Sequence, residues 1–197
     1  MPARMSGWRS RGYIPHFDKP GLVQSIAFRL FDAVPERLVE QWKAELGWIK
    51  YLPSSDRRKI QLHKRIDKYA DAGFGACWLR EDRVAEVVEN ALLFFDAERY
   101  RLLSWCVMPN HVHTIIETEE LWPLDGIIHS WKSHTSHKSN KLLHRSGEFW
   151  FREYHDRYIR DEEHSAKAID YVENNPVKAG LVRFKEEWRW SSAKIRQ

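Results

Sequence analysis

The chain has 197 residues, 43% of them hydrophobic and 13% aromatic, which suffices for a proper core in one domain. Its net charge is +4 and its pI about 9.0, with Lys and Arg clustered beside Trp, Tyr and His, a balance that favours an anionic partner. No apolar run is long enough to span a bilayer and no signal-peptide core follows the charged start. Cys77 and Cys106 read as buried reduced thiols, and no glycine loop cradles a phosphate. A membrane protein, a disulfide scaffold and an ATP or dinucleotide enzyme are thereby excluded, and the cytoplasm is the expected compartment.

Residues 1–19 form a basic N-terminal arm. It is either a loosely ordered tail or an arm on nucleic acid, with Arg11 on phosphate and Tyr13 stacked on a base. Leu22 to Phe31 alternates as a first strand. Pro35 to Ala72 reads as two helices, Glu36–Gly47 and one capped by Asp56 and running to Ala72. That is longer than a crossover requires, so 35–72 is a helical insertion, and its function is not derivable from the sequence. Cys77-Trp78-Leu79 is expected to be a short extended piece. Asp82 is expected to cap a helix from Arg83 to Ala97 that buries Val84, Val88, Leu92, Phe94 and Phe95. Tyr100–Val107 and His111–Glu117 then read as two strands joined by a Pro109-Asn110 turn.

A helix over about Pro123 to Leu143 offers Ile127, Ile128, Trp131, Leu142 and Leu143 to the core. Lys132 and Lys138 lie on its other side, which is either a solvated face or a phosphate-contacting one. His129, His134 and His137 are spaced by five and three, so they do not share one helix face and make no metal site. Phe149 to Ile159 mixes aromatics with Arg152, Arg157 and Arg160 and holds a strand near Asp156. Asp161 caps the following helix, whose first turn carries Glu162 and Glu163, and Pro176 ends it at Asn175. The order is that of an α+β, ferredoxin-like βαββαβ core in a single domain over 1–197, with the insertion and a C-terminal helix as decorations.

Two spacings carry chemistry. Side chains alternate along a strand, so His111 and His113 point to one face beside the turn, where two neutral imidazoles can share one ion; a chance His-x-His pair is the bland alternative. Tyr171 and Asn175 are four apart on a helix and share a face, which sets a phenol beside an amide oxygen.

The segments Trp105-Cys-Val-Met-Pro-Asn-His-Val-His113, Gly147-Glu-Phe-Trp-Phe-Arg-Glu-Tyr-His-Asp-Arg-Tyr-Ile-Arg160 and Asp170-Tyr-Val-Glu-Asn-Asn-Pro-Val-Lys-Ala-Gly-Leu-Val182 resemble the REP-associated tyrosine transposases. These belong to the IS200/IS605-like group of single-tyrosine transposases with a His-hydrophobic-His motif. The resemblance runs from about Arg80 to Ala193 and is weaker at Arg11–Phe17 and Val23–Arg29. It implies an antiparallel sheet with the histidine pair on a central strand and Tyr171 as nucleophile. It also implies a divalent ion, Mg²⁺ or Mn²⁺, on His111 and His113, with Asn175 standing where relatives have an amide or acid ligand. The implied substrate is single-stranded DNA folded as a hairpin of a repeated palindrome, cleaved and rejoined through a 5′-phosphotyrosine. Relatives act as monomers or as homodimers.

A phenol is a weak nucleophile at neutral pH, so the ion would stabilise the charge that develops on the phosphate. Tyr154 and Tyr158 compete less well, because neither has a ligand-type residue four positions on. Arg152, Arg157, Arg160 and Lys178 are candidates for holding the DNA backbone. Two other classes stay open: a hairpin-binding module that does not cut, and a metal-dependent phosphodiesterase that uses water, for which more carboxylates than Glu117 would be wanted beside the histidines.

Overall fold

A computed structural model describes residues 7–10, 15–18, 21–49, 52 and 56–195; Arg11 and Tyr13 lie outside the described residues. Strands β1 (Gly7–Ser10) and β2 (Pro15–Asp18) pair antiparallel as a separate ribbon. The main sheet holds β3 (Val23–Arg29), β4 (Tyr100–Val107), β5 (His111–Thr118) and β6 (His155–Tyr158). Its order is β4-β5-β3-β6 and every neighbouring pair is antiparallel. With β3 counted as the first strand of the βαββαβ unit, this is the ferredoxin-like order that the alternation of elements predicts. The helices are α1 (Glu36–Glu45), α2 (Arg57–Asp71), α3 (Asp82–Leu93), α4 (Leu124–Leu142), α5 (Glu162–Glu173) and the single turn α6 (Asn175–Lys178).

The two faces of the sheet do different work. On one face Ile26, Phe28, Trp105, Val112 and Ile116 pack under α3 and α4, joined by Trp131, Phe149 and Trp150 in the larger core. On the other face Cys106, Met108 and Ile115 meet Val172 of α5 in a smaller cluster. His111 and His113 share the strand parity of Ile115, so they lie on this second face, with α5 beside them. A third apolar cluster, built from Val34, Val39, Leu62 and Ala70, holds α1 to α2. The larger share of the buried apolar surface therefore sits across the sheet from the histidines, whose own face carries the smaller cluster.

Three local expectations change. Residues 77–79 are not extended: Cys77 takes a left-handed backbone (φ 49°) and Trp78–Arg80 is a 3-10 turn. The Leu79 N–H bonds to the Pro109 carbonyl in the hairpin turn, and Trp78 stacks on Phe149 and Phe31, contacts that a straight strand would forfeit. Helix α3 begins one residue early, at Asp82, with Glu81 as its cap, and it stops at Leu93. Phe94 is consequently 75% exposed, lying edge-on to Phe95 instead of entering the core. Lastly, α5 ends at Glu173, and Asn175 opens a new turn with Pro176 in its first positions, where proline's missing N–H is harmless.

Residues 188–193 close the outer edge of β4. The Val107 N–H bonds to the Trp190 carbonyl, Trp188 Nε1 donates to the Val107 carbonyl, and Ser192 Oγ accepts from the Trp105 N–H at 3.2 Å. This covers an edge that would otherwise invite pairing with another chain. Beside it, the buried Glu89 accepts from Trp105 Nε1 at 2.9 Å and from Lys194 Nζ at 3.0 Å. Glu89→Leu strands both donors and is expected to cost about 1–3 kcal/mol, read as a lower midpoint in urea with an unchanged m-value.

Candidate metal and tyrosine site

The hairpin turn sets the first two side chains. Met108 N–H bonds to the His111 carbonyl, so Pro109 and Asn110 form a tight two-residue connection. Asn110 is fully buried, and its Nδ2 donates to the Phe74 carbonyl at 2.8 Å. That bond fixes the amide's orientation and leaves Asn110 Oδ1 to accept from His111 Nδ1–H at 2.7 Å. A proton on Nδ1 leaves Nε2 as the ring atom available to a metal ion, which is how metal-binding histidines are commonly oriented. His113 follows two residues on, its ring edge-on to His111 with centroids 4.9 Å apart, and both residues are only 4% exposed. Burial holds His113 well below its ordinary pKa, helped by nearby His111, which favours its neutral ring. Neither Nε2 has a hydrogen-bond partner.

The loop that supplies the Phe74 carbonyl is itself held by a glycine. Gly75 has φ +86°, a Cβ there would stand 2.8 Å from the Asp32 carbonyl oxygen, and Asp32 Oδ2 accepts from the next N–H, that of Ala76. Gly75→Ala is expected to cost about 1–3 kcal/mol. Thermal unfolding would show a lower midpoint, and the Phe74–Asn110–His111 chain would loosen with it.

Helix α5 brings the tyrosine to the same place. The ring of Tyr171 lies 6.2 Å from that of His113, edge-on, and Lys178 Nζ sits 3.8 Å from its centroid. Burial, followed by the charges of Asp67 and Asp71, pushes the Tyr171 phenol up to about 12, so it is protonated across the neutral range. Asn175 is buried, and neither its oxygen nor its nitrogen has a hydrogen-bond partner. What anchors this helix is Glu173, also buried, which accepts from Ser192 Oγ at 2.9 Å and from Lys185 Nζ at 3.1 Å.

Two carboxylates stand here that sequence reasoning did not place. The insertion helix α2 crosses the histidine face, and its last residue, Asp71, puts Oδ1 3.4 Å from His111 Nε2. One turn earlier, Asp67 is raised to about 6, chiefly by burial, with His111 opposing and Asp71 reinforcing the shift. Further along α2, the ring of His63 lies 3.7 Å from that of His155, beside a cavity of about 400 Å³ lined by Ala27, Arg29, His63, Asp67 and His111 among others. The available signal in the sequence is that Asp67 and Asp71 are the two acids of an otherwise basic helix, four residues apart.

A divalent ion fits this donor set. Two neutral imidazoles and the Asn175 amide each present a buried atom with no partner, and such atoms cost free energy unless something binds them. Among the described residues no three His, Cys, Asp or Glu side chains form a finished cluster.

The basic candidates divide. Lys178 lies on the tyrosine ring, and Arg157, paired with Ser25, is exposed on the histidine face of the sheet; Arg160 follows it, also exposed. Arg152 is exposed in the loop before β6. Lys132 and Lys138 belong to α4, which packs on the opposite face. Lys132 Nζ donates to the Phe151 and Arg152 carbonyls, and burial lowers it to about 8, so it fastens that loop.

Comparison with known proteins agrees with the motifs. The model of the IS200-like transposase family matches residues 78–175, about half of the chain. A protein of Haemophilus influenzae assigned as a REP-associated tyrosine transposase is 25% identical over 47% of this chain and 58% of its own length. The REP-associated tyrosine transposase of Escherichia coli is 24% identical over 54% of this chain and 63% of its own. The chain thus spans about three fifths of the length of these curated relatives. A solved REP-associated tyrosine transposase bound to a REP hairpin is similar in fold, with a TM-score of 0.56 at 18% identity, covering 97% of this chain and 84% of that one. The histidine pair, the tyrosine helix and the strand order lead where the matches lead: the chain belongs to the IS200-like transposase family.

Proposed function

We propose that the protein is a tyrosine transposase that binds single-stranded DNA folded as a palindromic hairpin, cleaves it and rejoins it. The observation that carries this reading is Tyr171 standing edge-on to His113, whose Nε2, like that of His111, is buried without a hydrogen-bond partner. Tyr171 Oη attacks the phosphorus, the bond from phosphorus to the 3′-oxygen breaks, and the phenolic proton ends on that departing oxygen. The protein keeps the 5′-phosphate as a phosphotyrosine ester, and because ester replaces ester, rejoining needs no ATP. His111, His113 and Asn175 would hold the divalent ion, Mg²⁺ or Mn²⁺, which polarises the phosphate when bound. The Asn110 contact, which puts a proton on His111 Nδ1, supports this role for Nε2, and Lys178, 3.8 Å from the centroid of the Tyr171 ring, would meet a phosphate oxygen. The hairpin partner is carried over from the solved relative, whose fold this chain shares.

A second reading is favoured by Asp67 and Asp71. A phosphodiesterase that activates water wants carboxylates beside its histidines, and α2 provides them. One gel assay separates the two. Hairpin oligonucleotides are incubated with protein and Mn²⁺, then denatured. A covalent protein–DNA band that requires metal and vanishes in His113→Ala supports the tyrosine route, whereas cleavage with no band moves the chemistry to water.

A further inference from the structure

His111 Nε2 and Asp71 Oδ1 face each other across 3.4 Å inside the protein, and neither makes a hydrogen bond. The Asn110 contact puts a proton on Nδ1, so in the single-proton form of the ring, the form that binds metals, Nε2 brings a lone pair to the meeting. The carboxylate brings lone pairs as well. Two acceptors at this separation satisfy nothing, and both have given up water to be there. A cation between them resolves the conflict. Ligands in cis positions around an ion with bonds of about 2.1 Å lie roughly 3 Å apart, so the observed pair is a small side-chain turn away from sharing one. Asp71, 25% exposed at the end of its helix, has room for that turn.

The placement of Asp71 points the same way. Helix α2 reads Arg-Arg-Lys-Ile-Gln-Leu-His-Lys-Arg-Ile-Asp-Lys-Tyr-Ala-Asp, and both of its acids fall towards the C-terminal end. That end carries the negative pole of the helix dipole, where a carboxylate is disfavoured. A local rule broken without local compensation is expected at functional sites. His113 Nε2, on the same strand face, and the Asn175 amide are likewise buried and unbonded.

We propose that Asp71, delivered by the helical insertion, is a further protein ligand of the divalent ion, beside His111, His113 and Asn175. This rests on the metal site proposed above. Two imidazoles and an amide leave the ion's full charge uncompensated, whereas one carboxylate lowers it and tilts the site towards the oxygen-preferring Mg²⁺ and Mn²⁺. The insertion then acquires a role, fastening α2 to the sheet when the ion binds. Residue 71 precedes the 78–175 stretch that the family shares, so this ligand belongs to the part of the chain outside that match.

The test is Mn²⁺ binding to the full chain without DNA, followed by loss of the free-ion electron paramagnetic resonance signal. Wild type, Asp71→Asn and His113→Ala are compared. His113→Ala should lose binding, and Asp71→Asn should weaken it by about tenfold or more. In the metal-free state Asp71→Asn should melt no lower than wild type, whereas a merely structural Asp71 would give a lower midpoint. Asp71→Cys adds a direct readout, since Cd²⁺ should produce a thiolate-to-metal ultraviolet band, which a nearby but non-ligating residue would not. Wild-type Mn²⁺ affinity in Asp71→Asn, or Cd²⁺ binding to Asp71→Cys without the band, overturns the assignment while the His-Asn site stands. If neither wild type nor His113→Ala binds Mn²⁺, the metal site itself fails and Asp71 with it.

Discussion

Tyr171→Phe is expected to abolish the covalent protein–DNA adduct and to lower strand cleavage by roughly 10⁴-fold or more, the scale on which removal of a nucleophile acts. The substitution deletes one oxygen and keeps the ring, so the Lys178 contact and the packing of α5 survive. Tyr171 is 42% exposed, and folding stability should hardly change. Hairpin affinity measured without metal should match wild type, which separates loss of chemistry from loss of substrate. The structure also limits substitution by another phenol. Tyr158 stands opposite Gln24, whose strand parity is that of Ile26 and Phe28 on the α3–α4 face, and Tyr154 packs against that same large core. An adduct that persists in Tyr171→Phe would show that a different residue attacks.

Trp131→Ala should be the most destabilising single change, at about 3–5 kcal/mol. Trp131 is buried at the centre of the larger core, stacked near Phe28 and edge-on to Tyr100 with centroids 5.1 Å apart. Its Nε1 donates to the Tyr100 hydroxyl, which in turn donates to the Leu92 carbonyl at the end of α3. Truncation opens a cavity and cuts a chain of bonds between α4, β4 and α3 at once. Chemical denaturation with two probes would measure the loss, and a cost under about 1 kcal/mol would mean the core collapses into the space. The histidine face lies across the sheet from this cavity, so the proposed metal binding should be unchanged in protein that still folds.

The parts of the site legible in the sequence are those fixed by local periodicity. Strand alternation put His111 and His113 on one face, the Pro109-Asn110 turn gave the hairpin, and Asp161 did cap the tyrosine helix, its carboxylate accepting from the His164 N–H. The strand order followed from the run of elements because few topologies accommodate it. Contacts between distant segments were not legible. Nothing local in α2 says that its acidic end reaches the histidines, since that depends on α1 and α2 packing together and folding back over the sheet. Lys132 looked like one of a row of surface cations until the carbonyls of residues 151 and 152 were brought to it. Phe94 matched the apolar stripe of α3, but the helix ends one residue before it.

The clasp formed by Glu173, Ser192 and the edge of β4 also sets a timetable. The tyrosine helix is anchored by residues made some twenty positions later in synthesis, and Ser192 simultaneously bonds β4 at Trp105. A chain still emerging from the ribosome can pair its hairpin and bury its larger core before that clasp exists, because loops close in order of separation. Tyr171, the proposed nucleophile, is therefore the last component to be fastened, and a half-made chain carries the histidines without this clasp on its helix. For a protein proposed to cut DNA, competence to cut arrives only when residues 188–193 have been made and have reached the sheet.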